Sequence, residues 1–401
     1  VKSLHFIEEE LAQLESLGRC RRLKSLEAGG SRHLEYAGRR LINFSSNDYL
    51  GLSCHPLIKQ AAQEAIAQHH ASAASSRLIC GNLAIHERLE EELARFKGKE
   101  AALVFSSGYM TNLGILTALA GEQDQIFSDA LNHASIIDGC RLSRARTFVY
   151  RHRDANHLES LLRQASACRR RMIVSDALFS MDGDVADLPG LVELAGRYDC
   201  LLILDEAHAT GVLGSSGRGI VEHFAEERGI PAGEDGVDLA MGTLSKALGS
   251  FGGFVACSAR MRELLINKAR PFVFSTALPP SAAGAARAGL ELIQQEPFLL
   301  EALRKNFRLL AAELRAQGFD LGQSQSPILP IIFGREASAL RISEELMGKG
   351  HFVPAIRPPS VPDGSSRLRI TVTAAHSEEE LRGLATTMGE LAKREFESVH
   401  P

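Results

Sequence analysis

The sequence predicts an α/β protein: a mainly parallel seven-stranded sheet covered by helices, with a smaller C-terminal α+β domain. Three observations carry this. Short, almost wholly apolar runs recur through the middle of the chain, as strands buried on both faces require. Amphipathic helical patterns alternate with them, the arrangement of parallel strands joined by crossovers. At Pro279-Pro280 the pattern changes, and long helices dominate from there on. The 401 residues are too many for one small core, so more than one domain is expected.

The elements follow in chain order. Val1 to Lys24 mixes Glu8, Glu9 and Glu10 with Leu11, Leu14 and Leu17 and reads as an amphipathic helix. It lacks the basic start and unbroken apolar centre of a signal peptide. Ile85, Leu89, Leu93 and Phe96 share one face of a helix that precedes the first strand. The seven expected strands are 101–105, 125–128, 147–150, 172–176, 201–205, 239–242 and 253–257. A helical pattern over 188–198 fills the gap before the fifth. Beyond the prolines, helices are expected over 281–294 and 299–317, and strands over 328–333 and 368–372. The Pro/Gly/Ser-rich stretch 357–366 is a loop. The expected divisions are an N-terminal helix and arm (1–45), a large domain (46–285) and a small one (286–401).

Composition narrows the class. Hydrophobic residues make up 45% and charged residues 23%, ordinary for a globular enzyme. A net charge of −4 offers no field for nucleic acid or anionic membrane. No apolar run reaches the roughly 20 residues of a membrane span. Seven cysteines without CxxC pairing suggest free thiols in a reducing compartment, and a cytoplasmic enzyme is expected. No metal site is expected: His86-Glu87 begins like HExxH, but position 90 is Glu.

The chemistry lies at the strand ends, where open α/β sheets bind ligands. The run 201–205 ends in Asp205, followed by Glu206-Ala207-His208, and Lys246 lies in Thr243-Leu244-Ser245-Lys246 just after a later strand. Alone, Asp205 reads as a turn-capping carboxylate and Lys246 as a surface amine. Together they read as an acid that holds a pyridinium nitrogen and a lysine that forms a Schiff base, the pair pyridoxal phosphate (PLP) needs. A carboxylate keeps that nitrogen protonated by opposite charge. Thr243 is a hydroxyl donor for the phosphate, and His208 is either a partner of the ring oxygen or a structural histidine. Phe105-Ser106-Ser107-Gly108-Tyr109 runs from strand to helix, so Gly108 and Tyr109 offer backbone N–H groups to a phosphate. His133 is either a ring stacked on the pyridine or a helix-start residue. Ser180, before Asp182-Gly183, is a candidate for the ring oxygen, beside what also reads as a tight turn. Arg367 and Arg369 both suit a carboxylate clamp, with Arg369 favoured, and both also read as surface charges.

These blocks, in this order, resemble the α-oxoamine synthases over nearly the whole chain. The likeness runs through 43–52, Ser107-Gly108-Tyr109, Asn132-His133-Ala134-Ser135, 179–184, Asp205-Glu206-Ala207-His208, Thr243-Leu244-Ser245-Lys246 and Arg367-Leu368-Arg369-Ile370-Thr371. The resemblance implies the PLP-dependent transferase fold type I, like aspartate aminotransferase. It implies a covalent link from Lys246 to PLP, Asp205 on the pyridine nitrogen and His133 stacked on the ring. Ser180 and His208 would contact the ring oxygen, and Gly108, Tyr109 and Thr243 the phosphate. Ser275 and Thr276 would reach the phosphate in a neighbouring subunit, making a homodimer with shared sites. Arg21 and Ser360 would contact substrate, and Asn47 and Arg369, with His133, would lie near it. The implied reaction is a decarboxylative condensation of L-alanine with a pimeloyl thioester, on coenzyme A or an acyl carrier protein, in biotin synthesis. Sisters using glycine or serine are the alternative, and an inactive scaffolding subunit is the remaining one. Two departures stand out: 71–77 holds none of the glycines many relatives carry, and Ser245 stands where glycine is frequent.

Overall fold

The computed structural model describes residues 4–228 and 235–399. The chain divides into two compact units. One comprises Val1–Asn47, Met181–Gly183 and Leu303–Pro401; the other comprises Asp48–Ser180 and Asp184–Ala302. Early in the chain stand β1 (Glu27–Ala28), β2 (His33–Tyr36) and β3 (Arg39–Asn43). The second unit supplies β4 (Ala101–Phe105), β5 (Gln125–Asp129), β6 (Arg146–Tyr150), β7 (Arg171–Asp176), β8 (Cys200–Asp205), β9 (Leu239–Thr243) and β10 (Gly253–Cys257). Last come β11 (Ile328–Gly334), β12 (His351–Phe352), β13 (Ala355–Ile356) and β14 (Ser366–Thr371).

In the second unit the order is β4-β10-β9-β8-β7-β5-β6. The chain starts at one edge, crosses to the other, and returns inward until β10 closes against β4. All pairings are parallel except those of β10, which is antiparallel to β4 and β9. β5, β9 and β10 are buried at every position, as interior strands of a sheet covered on both faces are. The edge strand β6 is mostly exposed. Leu103, Ile126, Met172, Ile203, Leu239 and Val255 form one core with Ile115 and Leu116 of the helix Gly108–Leu119. Each such side chain contributes about 1.5–3 kcal/mol on burial. The helix Ala84–Lys97 buries Ile85, Leu89, Leu93 and Phe96, the face its spacing predicts, and stops at Gly98 with φ +66°.

Register sets the site. Asp176 pairs with Asp205, Asp205 with Met241, Thr243 with Gly253, and Gly253 with Phe105. Because β10 runs backwards, its first residue meets the last residues of its neighbours. Five strand ends therefore share one edge.

In the other unit, β1-β2-β3-β12 form one sheet and β11-β14-β13 another. β14 lies between its partners, antiparallel to both, and is buried throughout. Phe44, Leu310, Leu314, Leu329, Leu368, Ile370 and Leu384 build the core. The N-terminal helix is shorter than its pattern predicts, His5–Ser16, and buries none of its residues within this chain. It ends at Leu17, and Gly18 follows with φ +64°. Strands β1–β3 had no predicted counterpart. Among the described residues no helix is long and apolar enough to cross a membrane.

Candidate active site

Asp205 closes β8 and is 6% exposed. Its Oδ2 accepts from Asn112 Nδ2 at 2.6 Å and its Oδ1 from the Ala207 N–H at 2.8 Å. On the next strand Asp176 is also buried, and its Oδ1 accepts from the His133 N–H at 3.3 Å. Burial first, then the like charge of Asp205, pushes the Asp176 carboxyl well above the usual carboxylate range. Asp176 thus ties the start of the His133 helix to the strand end beside Asp205, and Lys246 follows β9 on the other side of Asp205.

His133 is the N-cap of the helix Ala134–Ser143. Its Nδ1 accepts from the Ser135 N–H at 3.2 Å and lies 2.7 Å from Ser135 Oγ. Burial holds its pKa below the ordinary histidine value, against the pull of Asp205. The helix-start reading is thus correct for its backbone, while its ring is a neutral flat surface beside Lys246 and Asp205.

Lys246 is half-buried in the turn between β9 and β10. That turn is tied by Leu244 N–H to Gly252 O (3.0 Å) and Gly249 N–H to Lys246 O (2.9 Å). Ser245 strengthens it: its Oγ donates to Gly252 O at 3.2 Å and accepts from the Gly252 N–H at 3.1 Å. Gly249 has φ +63°, and a Cβ there would lie 2.8 Å from the Leu52–Ser53 peptide, so glycine is required.

The helix Gly108–Leu119 begins beside these strand ends, capped by Ser107 Oγ on the Met110 N–H. A Cβ on Gly253 would stand 2.6 Å from Gly108 N, and one on Gly108 would stand 3.6 Å from Thr243 Oγ1. Gly108 thus lies beside Thr243, with the Met241 methyl closer still, 3.0 Å from where that Cβ would stand. Thr243 differs from expectation: its hydroxyl donates to Gly252 O at 2.8 Å and its oxygen accepts from the Ser245 N–H at 3.2 Å. The neighbouring backbone takes that proton, so a phosphate would have to compete for it. Tyr109 sets its ring edge-on to His133, centroids 6.4 Å apart, and donates its hydroxyl to Asp138. His208 is buried, with Nδ1 2.6 Å from the Tyr49 hydroxyl. Ser180 follows the Leu178–Val185 bridge and is half-buried.

Thr276 forms a bridge with Ser76, and the Ala277 N–H donates to Ser75 O at 2.9 Å. Ser275 and Thr276 thus sit against the segment that lacks the usual glycines. There Ala74 takes φ +53°, a conformation L-residues rarely adopt. Arg77 anchors the segment, buried against Glu90 at 2.8 Å.

In the first unit both β14 arginines are buried, which corrects the surface-charge reading. Arg367 donates to Asp182 Oδ1 at 2.6 Å. Arg369 donates to Asn47 Oδ1 at 3.1 Å and Thr371 Oγ1 at 2.9 Å. The exposed Arg21 and Ser360 converge on one turn: Arg21 Nη2 donates to Pro358 O at 2.9 Å and Arg357 O at 3.4 Å, and the Ser360 N–H donates to Arg357 O at 3.1 Å. Asn112, Ser135 and Tyr49 were given no role in the sequence reading of the site, and Asp176 was placed at a strand end without one. Asp176 had a signal in its strand-end position; the other three act through partners distant in the chain.

Residues 39–388 match the family model for class I and II aminotransferases. The chain is 46% identical over 384 residues to an 8-amino-7-oxononanoate synthase of Lysinibacillus sphaericus, covering 96% of this chain and 97% of that protein. The serine palmitoyltransferase of S. paucimobilis, solved with a bound PLP–myriocin adduct, superposes with a TM-score of 0.90 at 28% identity over 98% of each chain. An 8-amino-7-oxononanoate synthase from Francisella tularensis superposes with a TM-score of 0.75 at 27% identity, covering 89% of this chain and 99% of that one. With an α/β sheet of this order, a strand-end lysine, acid and histidine in one cluster, and identity sustained from end to end, the chain belongs to the class I and II aminotransferase family, in its α-oxoamine synthase branch.

Proposed function

We propose that this chain, with PLP bound, catalyses the 8-amino-7-oxononanoate synthase reaction. L-Alanine and a pimeloyl thioester give 8-amino-7-oxononanoate, carbon dioxide and the free thiol, for biotin synthesis. The observation that carries the chemistry is that strand register sets Asp205 between Asp176, which accepts from the His133 N–H, and β9, whose following turn carries Lys246. The donor set suits PLP: a buried carboxylate for the pyridine nitrogen, a neutral imidazole for the ring face, an amine for the aldehyde carbon, and a glycine-lined helix start for the phosphate. When bound, PLP supplies a sink for the electron pair released at the amino acid's α-carbon.

The residues divide the remaining work. Asp205, steadied by Asn112 and the Ala207 N–H, keeps the pyridine nitrogen protonated. His133 would cover the ring, Ser180 and His208 would contact its phenolic oxygen, and Gly108, Tyr109 and Thr243 would receive the phosphate. Arg369 and Asn47 meet the amino acid's carboxylate, and Arg21 and Ser360 contact substrate. Lys246 anchors the cofactor at rest, and its Nζ removes the α-proton as general base. The α-carbon then forms a bond to the thioester carbonyl, the C–S bond breaks and the thiol departs. The former carboxylate leaves as carbon dioxide, and a proton returns to the α-carbon. Ser275 and Thr276 serve the phosphate of a partner copy, so the working form is a homodimer. The seven free thiols suit the cytoplasm.

One observation favours a serine-using sister: the TM-score of 0.90 to the palmitoyltransferase against 0.75 to the F. tularensis synthase. The 46% identity to the L. sphaericus synthase outweighs it. Turnover of alanine, glycine and serine should be compared with pimeloyl, acetyl, succinyl and palmitoyl thioesters, each on coenzyme A and on carrier protein. Alanine with a pimeloyl thioester should be fastest, and Lys246→Ala should lower that rate about 10³-fold or more. Preference for serine with the palmitoyl thioester, or wild-type turnover by Lys246→Ala, overturns the reading.

A further inference from the structure

Asn112 is 1% exposed, in the helix Gly108–Leu119. Its amide nitrogen has two protons, and both are assigned. One goes to Asp205 Oδ2 at 2.6 Å and the other to Ser135 Oγ at 2.9 Å. Ser135 is 1% exposed, and its Oγ, which accepts from Asn112, lies 2.7 Å from His133 Nδ1. The Ser135 N–H donates to the same nitrogen, at 3.2 Å. That backbone bond makes Nδ1 an acceptor, so the Ser135 hydroxyl donates to it as well and the imidazole proton resides on Nε2. Every donor in this chain points the same way from one amide: towards the acid on one side, towards the imidazole on the other.

We propose that Asn112 is the positioning residue of the site, fixing at once the orientation of the Asp205 carboxylate and, through Ser135, the tautomer and tilt of the His133 ring. The proposal rests on the PLP reading. An Asp205 oxygen held by the amide cannot swing away from the pyridine nitrogen. A His133 ring locked by Ser135 presents one face without rotating.

The test uses holoenzyme. Asn112→Ala should weaken PLP binding about tenfold, the size of one hydrogen bond to a charged group. It should also change the visible circular dichroism of bound PLP, which reports how the ring is held. Ser135→Ala breaks only the imidazole branch. It should leave PLP affinity within about twofold, yet shift the His133 Nδ1 resonance seen by nitrogen-15 NMR, because that nitrogen loses its hydroxyl donor and keeps only the backbone one. Asn112→Ser is the conservative variant and should fall between wild type and Asn112→Ala in affinity. A protein that folds, binds PLP with wild-type affinity and keeps the wild-type dichroism after Asn112→Ala overturns the proposal. If Asn112→Ala does not fold, an unchanged His133 Nδ1 resonance in Ser135→Ala overturns it alone. A wild-type protein that binds no PLP instead overturns the cofactor reading on which it rests.

Discussion

Each unit holds a pair of like charges, and the two pairs are resolved by opposite means. In the large sheet, Asp176 and Asp205 end neighbouring strands side by side. Two buried carboxylates so placed resist ionising together, and the burden falls on Asp176, whose carboxyl is raised by burial and by its neighbour. Asp205 is the acid with an N–H donor on each oxygen. On β14, Arg367 and Arg369 stand two residues apart and both are buried. Guanidinium does not shed its proton, so these two differ in what receives them: Arg367 holds the Asp182 carboxylate, while Arg369 reaches the amide oxygen of Asn47 and the hydroxyl of Thr371. The lesson is that neighbours, not residue type, decide which member of a pair is available for chemistry.

The comparison can be broken most sharply at the acids. Asp205→Asn should lower kcat by about 10²-fold or more, the scale of a lost electrostatic partner. Asp176→Asn, which replaces an acid already biased to its neutral form, should change kcat by less than about threefold. Equal losses in the two variants would show that the pair is not divided this way. The arginines give a smaller split. Arg369→Lys should raise the KM for alanine about tenfold, because lysine cannot form the two parallel bonds to a carboxylate. Arg367→Met should leave that KM alone and cost about 1–2 kcal/mol of stability in urea unfolding, by stranding Asp182.

Two histidines give effects on stability with opposite dependence on pH. Burial disfavours a charged His152, but Asp129 and Asp184, at 2.9 and 2.7 Å, outweigh it and raise its pKa to about 9. Its stabilisation is full below the unfolded value near 6.5 and disappears as pH rises through 9. With part of the ring open to solvent, the effect should not exceed about 2 kcal/mol. His376 is stacked on Phe44 at 4.5 Å, and burial lowers its pKa to about 4. Its contribution is present above about 6.5 and is lost as pH falls towards 4, on the order of 2–3 kcal/mol. Urea midpoints measured against pH should therefore flatten on the alkaline side in His152→Gln and on the acid side in His376→Gln. A variant that flattens the wrong limb would reverse the assignment.

The residues at the strand ends were legible because each follows an apolar run that could be only a buried strand. Asp205, Lys246 and the Gly108 turn were found by position, and His133 by its place after β5. The network joining them was not legible. Asn112 lies 93 residues from Asp205 and 23 from Ser135, and Tyr49 lies 159 from His208. Such pairings exist only once the strands are in register, and a polar residue inside an apolar helix does not reveal its partner. β12 is two residues long and pairs in parallel with β3, too short to leave a periodicity. The hydrogen bond from Thr243 to the Gly252 carbonyl was equally hidden, because that carbonyl is brought back by the hairpin, not by sequence proximity.

That hairpin has a consequence for motion. Both of its stems are interior strands, paired on either side by neighbours. Shifting the backbone at Lys246 would mean unzipping the middle of the sheet. The nitrogen must therefore travel by rotation of its own flexible side chain, a swinging arm on a fixed post, and that arm alone sets the distance over which a proton can be carried.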